Sequence, residues 1–296
     1  MPISFHPLHP VFAAECRGVD IGQDLTPDQV AEIDAGMDRH AVLVFRRETP
    51  LSTEQQLAFT KNFGDLEPPY QQIHSPEGVR LAHPNLVDIS NLGPTGTMLE
   101  REDRRRQYNL GNRLWHSDSS YKHIPARYSL LHAHVVPPEG GDTQFADMRA
   151  AWDMLDERMK ALIGNLICLH SRVLSKGALG FAFTEQELEA FAPVRQRLVR
   201  THPKTGRRSL FLSSHGARIE GWEIPEGMML LRELTEHATQ REFVYSHQWR
   251  AGDLVMWDNR ATMHRATRYD DLTHERDMRR TTVTDGVPTI AREAAA

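Results

Sequence analysis

In Trp115-His116-Ser117-Asp118 an imidazole and a carboxylate stand two residues apart, and no other feature of the chain constrains its fold as much. On extended backbone, side chains alternate between faces, so His116 and Asp118 point the same way and can grip one ion from adjacent positions. Two protein donors hold a metal poorly. A second imidazole from a remote strand would complete the two-histidine, one-carboxylate facial triad that leaves non-heme Fe(II) with open positions. His264 is the candidate, because it follows Leu254 to Trp257, an apolar run that reads as a buried strand. Donors taken from residues 116 and 264 oblige both halves of the chain to fold together. Spacing alone favours an ordinary polar strand end, so the surrounding sequence must decide.

That sequence is written in short strands broken by Gly and Pro, with helices gathered near the start and in insertions. Thr26-Pro27-Asp28-Gln29 and Ser52-Thr53-Glu54-Gln55 are capping boxes. The first opens a helix burying Val30, Ile33 and Met37, and the second opens one carrying Leu57, Phe59 and Phe63 to a stop at Gly64. Strands are expected at 41–45, 86–89, 128–136, 142–145, 243–249, 254–257 and 279–284, with a hairpin joining 198–201 to 209–212. Asp147 can cap a helix, and another runs from Pro225 to about Ala238. Residues 170–200 are ambiguous, with a short helix at 184–192. The pattern predicts a mainly β chain with flanking helices, built as a β sandwich or jelly roll. No linker composition marks a second domain, so residues 1–296 are expected to form one. The irregular stretch 65–110, just before His116, is expected to act as a lid.

Charge and cysteine usage narrow the function. A net charge of -5 argues against nucleic acid, which needs a basic face. The cluster Arg101, Arg104, Arg105 and Arg106 is interrupted by Glu102 and Asp103 and reads as a solvated loop. Cys16 and Cys168 match no zinc, redox or disulfide spacing. No signal peptide or membrane-spanning run is visible, and a cytoplasmic protein is expected. His132 and His134 could form a second metal pair, but no third donor lies near them in sequence, and a polar strand face is expected there.

Several stretches together carry a resemblance that none carries alone: His-Pro-Leu-His-Pro-Val-Phe near the start, Leu-Trp-His-Ser-Asp-Ser-Ser at 114–120, Pro-Pro-Glu-Gly-Gly-Asp-Thr at 137–143, Glu-His-Ala-Thr-Gln-Arg-Glu-Phe-Val-Tyr at 236–245, and Val-Met-Trp-Asp-Asn-Arg at 255–260. In these the chain resembles the taurine dioxygenase family of Fe(II)- and α-ketoglutarate-dependent enzymes, and within it the dichlorophenoxyacetate dioxygenases. The resemblance implies a double-stranded β-helix core, with Fe(II), α-ketoglutarate and O2 as cofactors and cosubstrates. It implies His116, Asp118 and His264 as metal ligands, and Thr143 with Arg276 as the clamp on the far carboxylate of α-ketoglutarate. An arginine suits that clamp because its planar fork gives two charge-assisted bonds to a carboxylate.

The register of that arginine rests on Arg276-Asp277-Met278-Arg279-Arg280. Residues four apart on a strand share a face, which favours Arg276 with Arg280; Arg279 is the alternative. Arg280 is expected to anchor an anionic small-molecule substrate, with His215 and His202 nearby by resemblance. The implied reaction hydroxylates the carbon next to the ether oxygen of an aryloxyacetate, releasing a phenol and glyoxylate. A sulfonate such as taurine is the second substrate class. From other classes, a non-catalytic metal-binding jelly roll or a metal-dependent hydrolase would need no α-ketoglutarate clamp. A homo-oligomer, dimer or tetramer, is expected, without membrane or nucleic-acid partners.

Overall fold

The computed structural model describes residues 2–67 and 78–290. Its largest sheet has seven strands in the order Ser4–Pro7, Ala14–Arg17, Val42–Phe45, Leu254–Asp258, Ala126–Val135, Asp277–Thr284 and Val87–Asp88. A three-stranded sheet, Val244–His247, Thr143–Asp147 and Thr262–Ala266, packs against it. Ala126–Val135 leads into Thr143–Asp147, and Leu254–Asp258 into Thr262–Ala266, so the chain passes from the large sheet to the small one twice. This architecture is the double-stranded β-helix.

Alternation sorts each strand's side chains into two cores. Val42, Val44, Val255, Trp257, Leu131, Ala133 and Met278 point between the sheets, where Phe145 meets them from the small sheet. Leu43, Phe45, Leu254, Met256, Tyr128, Leu130 and Val283 point outward under the helices Pro27–His40 and Thr53–Lys61. Both helices begin with the capping boxes expected, Thr26 with Gln29 and Ser52 with Gln55, each box stabilising its helix by about 1 kcal/mol. A third core gathers the helices Met148–Asp153 and Ile224–Ala238 around Cys168, Leu198 and Leu212.

His132 and His134 lie on the helix-facing side of their strand, away from the inter-sheet core. Leu51 N–H donates to His132 Nε2 at 3.2 Å, and burial lowers the imidazole pKa values to about 3 and about 4. Among the described residues no group of possible metal donors includes them.

One local expectation changes. Residues 114–120 are not a regular strand; His116 makes an isolated bridge to His264, and Asp118 begins a turn in which Ser119 takes φ 53°. The ambiguous stretch 170–200 contains the helices Arg172–Gly177 and Glu185–Ala190 and the strand Val194–Arg197. The lid expected at 65–110 falls partly on 68–77, outside the described residues, while its later part holds the helix Arg104–Leu110. No described helix is long and apolar enough to cross a membrane.

Candidate active site

His116, Asp118 and His264 converge: one donor atom from each lies within 4.8 Å of the others, and all three residues are buried. Reciprocal main-chain hydrogen bonds of 3.0 and 2.8 Å between His116 and His264 join the two distant segments. His116 Nδ1 lies 2.7 Å from the carbonyl oxygen of Leu114, and donating its proton there leaves Nε2 as a lone pair facing the trio. Burial lowers the pKa of both imidazoles, keeping them neutral. Burial works to raise that of Asp118, but the Arg280 guanidinium, the two neighbouring imidazoles and the Ser129 hydrogen bond together outweigh it and hold the carboxyl well below the usual carboxylate range. Two neutral imidazoles and one ionised carboxylate, all desolvated, form a donor set that fits Fe(II).

The carboxylate is held by residues the sequence did not single out. Asn259 Oδ1 accepts from the Asp118 backbone N–H at 3.0 Å and from Trp257 Nε1 at 3.1 Å. Its amide nitrogen donates to Ser129 Oγ at 2.9 Å, and Ser129 donates onward to Asp118 Oδ2 at 2.7 Å. Asn259 belongs to the Trp-Asp-Asn-Arg segment, which was a visible signal. Ser129 was invisible, because only the folded register brings it beside Asp118.

Two cavities open beside the trio and share His116 and Arg280 in their walls. The smaller, about 90 Å³, is lined by Thr143, His264, Trp257, Tyr269 and Arg276. Arg276 is buried, and among the described residues its guanidinium donates to main-chain carbonyls alone, those of Ile89 at 3.5 Å and Gly141 at 3.3 Å. Thr143 Oγ1 accepts from Trp249 Nε1 at 3.0 Å, which leaves the hydroxyl proton available to a ligand. Arg279 pairs with Leu131's neighbour His132 across the ladder and faces the helices, where its guanidinium meets Asp277 at 3.2 Å. The strand therefore sends Arg276 and Arg280 to the cavities and Arg279 away from them.

The larger cavity, about 330 Å³, is walled by apolar residues including Leu81, Leu86, Ile89, Leu92 and Leu99, together with His116, Asp118 and Arg280. His215 also lines it, its Nδ1 2.7 Å from Ser175 Oγ. Arg280 donates to Asp118 Oδ1, while its Nε is buried without a hydrogen-bond partner among the described residues. His202 is elsewhere. It lines neither cavity, and its Nε2 sits 3.5 Å from Asp38 and 3.6 Å from Asp258, drawn there by carboxylates rather than by a ligand. Sequence reasoning missed Arg172 and Lys176, both of which line the larger cavity.

Comparison with known proteins agrees with this geometry. The family model described as "Taurine catabolism dioxygenase TauD, TfdA family" matches residues 4–282. The α-ketoglutarate-dependent 2,4-dichlorophenoxyacetate dioxygenase of Cupriavidus pinatubonensis (strain JMP 134) is 46% identical over 96% of this chain and 99% of its own. The (S)-phenoxypropionate/α-ketoglutarate dioxygenase of Delftia acidovorans is 35% identical over 86% of this chain and 88% of its own. Among solved structures, AAD-2 in complex with Mn(II) and N-oxalylglycine superposes with a TM-score of 0.90 at 49% identity, covering 98% of this chain and 99% of that one.

Proposed function

Because this chain belongs to the taurine catabolism dioxygenase TauD, TfdA family and is an α-ketoglutarate-dependent dioxygenase using Fe(II) and O2, we propose that it hydroxylates the carbon next to the ether oxygen of an aryloxyacetate. The carrying observation is the larger cavity, where an apolar wall and buried cations adjoin the His116, Asp118 and His264 donors. An aryl ring needs the first and a carboxylate the second. A sulfonate such as taurine would satisfy the cations but leave much of the apolar wall without a partner. The substrates in the relatives' names are aryloxy acids of this kind.

We assign the metal to His116, Asp118 and His264, and α-ketoglutarate to the smaller cavity, with its far carboxylate on Arg276 and Thr143. Bound there, the iron supplies oxygen activation coupled to decarboxylation of α-ketoglutarate to succinate and CO2. The chain's own residues set the geometry. Ser129 and Asn259 fix the direction of the Asp118 carboxylate, since outer partners orient metal ligands. Trp249 holds the Thr143 hydroxyl so that its proton can reach the cosubstrate carboxylate. Arg276, buried with no carboxylate in ion-pair contact among the described residues and Asp142 acting on it from further off, gains a close counter-ion when α-ketoglutarate enters. Arg280 and the apolar wall present the substrate's CH2 group to the metal, and the segment 78–112 covers the chamber. One oxygen atom enters succinate and the other the substrate. The resulting hemiacetal collapses to a phenol and glyoxylate.

Anaerobic titration with Fe(II) and α-ketoglutarate tests the assignment through the visible metal-to-ligand charge-transfer band, followed by phenol and succinate release in air. His264→Ala should show neither band nor turnover while circular dichroism stays unchanged. Wild-type activity in that variant would defeat the ligand assignment, and absence of phenol release in the wild type would defeat the substrate.

A further inference from the structure

Arg172 and Lys176 stand four residues apart on the helix Arg172–Gly177, hence on one face, and both line the larger cavity. They are only 1% and 5% exposed. Like charges at this spacing repel, and burial removes the water that would screen them. Burial pushes the Arg172 pKa down to about 9, and burial with the Arg172 charge pushes Lys176 down to about 8. Lys176 Nζ donates to the carbonyl of Tyr108 at 3.0 Å and lies 4.2 Å from the centre of that ring. Among the described residues no carboxylate lies within ion-pair distance of it; Glu187, the acid that acts on Arg172, is bound by Arg104.

The fold also makes room for this ammonium. A Cβ at Gly111 would lie 2.1 Å from Lys176 Nζ. Gly111 keeps an unremarkable negative φ, so its missing side chain answers a steric need rather than a backbone one. A buried lysine with no counter-ion, in a space kept open by a glycine and on the wall of a cavity beside the metal donors, marks an anion site.

We propose that Lys176, backed by Arg172, binds the acidic group of the substrate, so that the helix Arg172–Gly177 is the anion-reading wall of the larger cavity. This rests on the reading of that cavity as the substrate chamber. Arg280 already has one donor on Asp118 and stands at the boundary with the cosubstrate cavity, which suits it to position the substrate beside the metal. Lys176 lines the larger cavity alone and so discriminates the substrate without touching α-ketoglutarate.

The test uses the enzyme loaded with Fe(II) and α-ketoglutarate without oxygen, titrated with acids and followed by its visible absorption. An aryloxyacetate, an alkyl sulfate and taurine are each paired with a neutral amide or ester, and the comparison is taken on the acid that the wild type binds most tightly. Lys176→Met should weaken that acid roughly ten- to a hundredfold while changing the neutral counterpart by less than about threefold. The α-ketoglutarate affinity should stay the same. Gly111→Ala, whose methyl displaces the ammonium, should erode the acid preference in the same direction and serves if Lys176→Met does not fold. An unchanged preference for acid over neutral compound overturns the proposal, even where both affinities fall together as they would for a merely structural lysine. Should the wild type bind a sulfate or sulfonate but no aryloxyacetate, the substrate reading fails while the role of Lys176 is still decided on the acid that binds. Binding of no anion by the wild type defeats both.

Discussion

Arg280 donates to Oδ1 of Asp118, so the cation expected to meet the substrate is already ion-paired with the carboxylate offered to the metal. Asp118 is buried and the Arg280 side chain is 15% exposed, and breaking such a pair by removing one partner costs up to about 3–5 kcal/mol. Arg280→Ala should therefore lower the thermal midpoint of the metal-free protein, and bound Fe(II) should restore part of the loss.

The same variant should uncouple the reaction. A misplaced reacting carbon can cost about a hundredfold in rate, so phenol release should fall well below succinate formation. Arg280→Lys keeps the charge without the planar fork and should show a smaller imbalance. Measuring both products in one reaction checks this; an equal fall in the two would assign Arg280 to metal support alone.

For the cosubstrate, Arg276→Ala should raise the α-ketoglutarate requirement by a few kcal/mol, on the order of ten- to several-hundredfold. Arg279→Ala should leave it unchanged, because Arg279 faces the helices. Trp249→Phe, which removes the donor to Thr143, should have a small effect confined to α-ketoglutarate. Apparent KM values for cosubstrate and substrate, measured separately, distinguish these outcomes.

Ser129→Ala removes a direct hydrogen bond to the Asp118 carboxylate, and Asn259→Ala removes the acceptor of the Asp118 backbone N–H and the donor that orients Ser129. Loss of an outer partner of this kind typically costs about 10- to 100-fold in metal affinity. Titration of the apoprotein with Mn(II) or Fe(II) reads the change directly, and an unaltered affinity in both variants would show that the ligand needs no such support.

Lys176 gives the substrate dependence on pH a sign. Its pKa is lowered from the usual 10.5 to about 8, by burial first and by Arg172 second. The groups around it are Arg172 on its own helix, Tyr108 on Arg104–Leu110, and His116, Asp118, His215 and Arg280 in the cavity wall. The cation is present below pH 8 and lost above it. The KM for the acid should be flat below that value and climb up to about tenfold per unit above it, with no such rise for a neutral analogue or for Lys176→Met.

Local chemistry was legible before folding, and long-range partnership was not. Thr26 and Ser52 cap the helices their spacing indicated, because a capping box is closed within four residues. Alternation separated Arg276 and Arg280 from Arg279 despite a bulge between Asp277 and Met278. His116 and Asp118 converge although their stretch is a bridge and turn rather than a strand. Ser129 was hidden inside an ordinary β pattern, and Arg172 and Lys176 sit on a helix of six residues, too short to show a period. His202, placed by resemblance near the substrate or cosubstrate, lies beside Asp38 and Asp258, outside both cavities.

The reciprocal bridge between His116 and His264 also orders events in the cell. As the chain leaves the ribosome, His116 and Asp118 emerge long before residue 264, and two donors alone hold a metal poorly. Metal capture must then follow completion of the polypeptide. Because the bridge itself is made by backbone groups, it needs no iron to form, and scarcity should leave a folded reserve of apoenzyme that recovers activity on iron addition without new synthesis.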